Sequence, residues 1–114
     1  RVNVRIGDKR DKGSGLDYAL KKHGGVNLDN KSQFSISREE LVKTLQSKEL
    51  INTPATQTSR SGDYVRQFTA DKTIGNLPVD RGGIPTRFIT VITDKFGNLI
   101  NTFPGGLDFL GGGG

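Results

Sequence analysis

A chain of 114 residues with 32% hydrophobic content suits one domain with a single core, and the absence of cysteine excludes a disulfide framework or a thiolate metal site. One histidine argues against a protein-built zinc site, and no apolar run approaches a membrane span or a signal-peptide core. The formal charge of +5, from 17 Lys and Arg against 12 acids, favours an anionic partner, nucleic acid foremost, with plain solubility as the competing account.

The chain opens with apolar residues alternating through Val2, Val4 and Ile6, then turns polar and glycine-rich from Gly7 to Gly15. Residues 1–15 therefore read as a mobile arm or linker. Ser14 is placed to cap a helix starting near Leu16, with Asp17 in its first turn and Lys21, Lys22 and His23 in its last; Gly24 and Gly25 end it. Leu16, Leu20 and His23 share one face, which predicts an imidazole at the edge of the buried stripe, half in and half out, with Lys21 and Lys22 pointing elsewhere.

Ser37 and Glu40 have capping-box spacing, and Leu41, Val42 and Leu45 supply an apolar stripe, so a second helix is expected from about Arg38 to Lys48. Residues 53–60 are mostly Thr, Ser, Gln and Pro and read as an exposed loop. The rest is β in character: a strand over residues 64–68, a loop at Gly82-Gly83 and Pro85, a strong strand over residues 86–93, a hairpin loop at residues 94–98, and a strand from Leu99 to Phe103. Alternation sets Phe88, Thr90 and Ile92 against Arg87, Ile89, Val91 and Thr93, and on the partner strand sets Ile100 and Thr102 against Leu99, Asn101 and Phe103. Residues 105–114 read as a glycine-rich disordered tail. The order predicts an α+β fold in which N-terminal helices pack on one face of a small twisted antiparallel sheet.

His23 is the one side chain whose ordinary titration range suits proton transfer near neutral pH. Metal-free RNA cleavage uses the ribose 2′-hydroxyl as nucleophile and needs a base, an acid, and donors or cations for charge developing on the phosphate. His23 suits the proton transfer, and Lys21, Lys22 and Arg87 the charge. Threonine hydroxyls on the late strands are further phosphate donors. Each residue also has a plainer role: a histidine bonding a last-turn carbonyl, a solvated lysine face, an exposed sheet arginine, threonines chosen for strand propensity. Gly82-Gly83 lacks the lysine and Ser/Thr spacing of a phosphate-binding loop.

The helix with Lys-Lys-His-Gly at residues 21–24, the capped second helix, the Gly-x-Pro-Thr-Arg lead-in at residues 83–87 and the hairpin from Val91 to Pro104 resemble bacterial toxin ribonucleases of the barnase/EndoU/colicin/RelE superfamily. The chain is most similar in kind to C-terminal toxin domains of CdiA-type contact-dependent growth inhibition proteins, and in its lysine-flanked histidine it resembles colicin D-type tRNases. The resemblance covers roughly residues 16–104, the span expected to form the nuclease domain. It implies a cofactor-free, metal-independent endoribonuclease that cleaves tRNA, is secreted or delivered from the cell surface on a larger carrier, acts in the cytoplasm of a target bacterium, and is neutralised by a cognate immunity protein. The absence of methionine, at position 1 included, fits a module borne on such a carrier.

By that resemblance the catalytic set is His23, Lys22, Arg87 and Thr102, with Lys21, Thr90, Thr93, Lys95 and Asn101 toward the substrate. Two other readings of the same residues stand beside it. One is a nucleic-acid-binding module without catalysis, and the other a protein-interaction domain of a secreted protein.

Overall fold

A computed structural model describes residues 15–58 and 62–106, so the arm over 1–14 and the tail beyond 106 lie outside the described residues. The elements in chain order are α1 (Leu16–His23), β1 (Gln33–Phe34), α2 (Arg38–Leu45), α3 (Lys48–Ile51), β2 (Thr56–Gln57), β3 (Tyr64–Thr69), β4 (Gly75–Asn76), a 3-10 turn (Val79–Arg81), β5 (Pro85–Thr86), β6 (Phe88–Thr93) and β7 (Leu99–Pro104). The fold is α+β, with the helices N-terminal and packed against sheet, as the order of patterns predicts.

Helix α1 spans the expected residues with Gly15 at the cap position, while Ser14, the expected cap, lies outside the described residues. The second helix stops three residues early. Ser37 Oγ accepts from the Glu40 amide at 3.1 Å and starts α2, and Ser47 Oγ accepts from the Leu50 amide at 3.3 Å and starts α3. A second cap inside the expected helix splits it in two, since a serine hydroxyl that satisfies a free amide competes with helix continuation. The apolar stripe survives the break: Leu41, Leu45 and Leu50 are buried in one cluster with Leu16, Phe34, Ile89, Val91 and Leu99.

Antiparallel strands form two sheets where one was expected: a four-stranded sheet ordered β2-β3-β6-β7 and a three-stranded sheet ordered β1-β4-β5. The segment read as an exposed loop contributes β2, which pairs Thr56 with Val65 and Gln57 with Tyr64. The strand expected over 86–93 is divided between the sheets, because Thr86 pairs with Gly75 of β4 and Phe88 with Thr69 of β3. Arg87 falls between β5 and β6 and belongs to neither. Gly75 is where the small sheet meets β7: a Cβ there would lie 2.5 Å from the Gln33 carbonyl oxygen and 2.5 Å from Pro104 Cγ.

Simple alternation also fails in β7. A register shift between Ile92 and Thr93 pairs Thr93 with Leu99 but Ile92 with Asn101, so Ile100 is the extra residue. Directly opposed antiparallel residues share a face, so Leu99 joins Ile89 and Val91 in the core while Asn101 and Phe103 lie on the face of Ile92 and Thr90. Gly105 belongs to the fold rather than to a tail: its amide donates to the Phe88 carbonyl at 2.9 Å and its carbonyl accepts from Thr90 Oγ1 at 2.6 Å.

Candidate nucleic-acid interface

The predicted site residues divide into two groups and an outlier. The first group lies at the seam where α1 meets β7 and on the adjoining β6–β7 pair, with Thr90 on β6. Gln33 fixes the end of α1: its Oε1 accepts from the amides of Gly25 at 2.8 Å and Val26 at 2.9 Å, and its Nε2 donates to the Lys22 carbonyl at 2.9 Å. One short strand residue thereby satisfies backbone groups that a helix terminus leaves open. His23 is held in turn, with Nδ1 at 2.8 Å from the Ser32 carbonyl oxygen and its ring 5.4 Å from that of Phe103. A carbonyl only accepts, so Nδ1 carries a proton in this bond.

His23 is only 1% exposed, which corrects the expectation of a half-exposed imidazole. The cause is β7, whose Phe103 packs against the ring from the side that the helix pattern leaves open. The threonines and the asparagine are buried with it. Thr90 donates to the Gly105 carbonyl, Thr102 Oγ1 donates to the Thr90 carbonyl at 2.9 Å, and Asn101 Oδ1 accepts from the Thr102 amide at 2.9 Å. Asn101 Nδ2 is buried and finds no hydrogen-bond partner among the described residues. Thr90 and Thr102 therefore spend their hydroxyl protons on backbone carbonyls instead of offering them at a surface. Lys21 is exposed, and Lys22 folds back on its own helix, its Nζ donating to the Tyr18 hydroxyl at 2.6 Å and lying 4.5 Å from the ring centre.

The second group lines an open groove of about 350 Å³ at the end of the large sheet. Thr93 and Lys95 were expected near substrate and both line it, though Thr93 is buried at its floor. Tyr64, Arg66 and Phe96 join them without having been singled out. Register explains the placement: Tyr64 pairs with Thr93 and Arg66 with Val91, so Tyr64 and Arg66 share a face with Thr93. The signal was present in the alternation of Tyr64-Val65-Arg66, but reading it needed the pairing partner. Arg66 Nε donates to the Thr53 carbonyl at 3.1 Å, which steadies the guanidinium at the groove.

The β6–β7 loop completes the rim. Asp94 Oδ1 accepts from the amides of Phe96 at 2.8 Å and Asn98 at 2.9 Å, and its Oδ2 accepts from Asn98 Nδ2 at 3.1 Å. Gly97 adopts φ 84°, a conformation that glycine alone takes at little cost, and its amide closes the turn on the Asp94 carbonyl at 3.0 Å. This turn holds Phe96 70% exposed, with Lys95 Nζ 5.2 Å from its ring centre.

Arg87 stands apart, exposed at the junction of the two sheets, so the expected catalytic set of His23, Lys22, Arg87 and Thr102 does not form one open constellation. Among the described residues, no three His, Cys, Asp or Glu side chains come together as cation ligands. Comparison of the chain with protein-family models, with curated proteins and with solved structures returns no match.

Proposed function

We propose that this chain is a metal-independent toxin endoribonuclease that acts on tRNA in a target bacterium. The observation that carries the reading is the 2.8 Å contact of His23 Nδ1 with the Ser32 carbonyl oxygen, which assigns a proton to Nδ1 and leaves Nε2 to act as the base, beside the strand that bears Asn101 and Thr102. In the proposed step the 2′-oxygen attacks the adjacent phosphorus, its proton passes to His23 Nε2, the bond from phosphorus to the 5′-oxygen breaks, that oxygen takes a proton from water, and the imidazolium returns its proton to the hydroxide so formed. The product is a 2′,3′-cyclic phosphate. At 1% exposure His23 meets a phosphate only when the α1–β7 seam opens, so the rate is coupled to that opening. On this reading the carrier, the delivery into a target cytoplasm and a neutralising immunity protein follow from the resemblance given above.

A second reading is favoured by the same burial: a nucleic-acid-binding module without catalysis, whose contacts are made at the open groove and the exposed Lys21 and Arg87. Induction of the domain inside bacteria separates the two. The ribonuclease reading expects growth arrest with discrete tRNA fragments. Arrest with intact tRNA would favour binding alone, and normal growth with intact tRNA would favour a protein-interaction domain.

A further inference from the structure

The groove at the β6–β7 hairpin combines three properties that are independent of the histidine. Its rim carries an aromatic ring that the fold holds in water: Phe96 is 70% exposed because the Asp94 turn fixes the backbone on both sides of it. Two cations, Arg66 and Lys95, line the same space. The acid in the lining, Asp94, directs both carboxylate oxygens into the loop, where they accept from Phe96 and Asn98. The volume of about 350 Å³ lies at the small end of sites for organic ligands, roughly 300–1,000 Å³.

We propose that this groove binds one nucleotide of a single-stranded RNA, with the base stacked on Phe96 and Tyr64 beside it, and the adjoining phosphate met by Lys95 and Arg66. Aromatic faces accept any unstacked base, whereas a paired base keeps its faces covered, so the groove selects for single strands over duplex. Arginine brings a planar fork to phosphate and lysine a mobile point charge. The bond from Arg66 Nε to the Thr53 carbonyl holds the side chain at the groove without using its terminal guanidinium nitrogens. The choice of RNA rather than DNA as the ligand rests on the ribonuclease reading; the stacking and charge arguments do not.

The test uses the full chain and a short labelled 2′-O-methyl RNA, which has no free 2′-hydroxyl and survives a nuclease. Fluorescence anisotropy is expected to show the single strand binding more tightly than the same sequence in a duplex. Phe96→Ala weakens binding by about tenfold, the range of one lost stacking partner. Lys95→Ala weakens it and lowers the slope of log affinity against log salt by about one. Both side chains are exposed, so circular dichroism should be unchanged. Absence of binding by the wild-type chain, equal binding of duplex, or wild-type affinity in Phe96→Ala overturns the proposal. Cleavage of tRNA by the same preparations is scored separately. Binding that depends on Phe96 without cleavage upholds the groove and removes the ribonuclease reading, while cleavage with binding indifferent to Phe96 does the reverse.

Discussion

The α1–β7 seam and the hairpin groove both draw on the β6–β7 hairpin, and they use its residues in opposite ways. In the seam His23, Thr90, Asn101 and Thr102 are buried, and the threonine hydroxyls answer backbone carbonyls. In the groove Lys95 and Phe96 are held out in water by the turn that closes the β6–β7 hairpin. The difference teaches that residue type nominates chemistry while pairing register decides which residues can meet a ligand. Two residues along the chain separate the buried Thr93 from the exposed Lys95.

The contrast predicts separable phenotypes. The largest effect on stability belongs to the seam. Thr90→Val keeps the shape but leaves the buried Gly105 carbonyl without its 2.6 Å donor, and should lower the free energy of unfolding in urea by about 1–3 kcal/mol without changing RNA affinity of the folded chain. A loss of affinity at unchanged stability would erase the distinction between the two regions.

Gly97→Ala probes the groove. Its φ of 84° makes an added Cβ cost about 1 kcal/mol, and relief of that strain would move Phe96 and Lys95. The expected result is a small drop in melting temperature with a clear loss of single-strand binding. Unchanged binding would mean that the fixed turn has no bearing on the ligand.

The smallest effect lies outside both regions. The hydrogen bond from Lys72 Nζ to Glu40, at 2.7 Å, and the charge of that ammonium hold the Glu40 carboxyl below its usual value of 4.5. A carboxyl lowered in the folded state binds fewer protons there than in the unfolded chain, so its contribution is present above the ordinary carboxylate range and fades as pH falls through the lowered value. Glu40→Gln should therefore flatten the acid limb of a melting-temperature profile slightly and do nothing to RNA binding. Both side chains are exposed, so a large change in the profile would contradict the pair's assignment as a screened surface contact.

Much of the fold was legible because local signals agreed with tertiary ones. The Ser37 cap with its leucine stripe, the residues of α1, and the hairpin around Asp94 to Asn98 all lie where their patterns put them. Legibility failed where a second local signal competed or where pairing was nonlocal. Ser47 started a new helix inside the expected one, and the extra residue Ile100 put Leu99 and Asn101 on opposite faces. The site was legible as an inventory and not as a map. His23 was read as half exposed because the helix pattern cannot anticipate Phe103, and Tyr64 and Arg66 were missed because their proximity to Lys95 exists only through the pairing of Tyr64 with Thr93.

The central proposal turns on His23, and the most direct measurement is cleavage of purified tRNA in EDTA by the wild-type chain and by His23→Gln, with the folded state of each followed by circular dichroism. The account predicts discrete fragments ending in 2′,3′-cyclic phosphate for the wild type. It predicts a loss of about 10²–10⁴-fold in rate for folded His23→Gln, the usual contribution of a positioned acid-base group. Intact tRNA with the wild type, or equal cleavage by the folded variant, would contradict it.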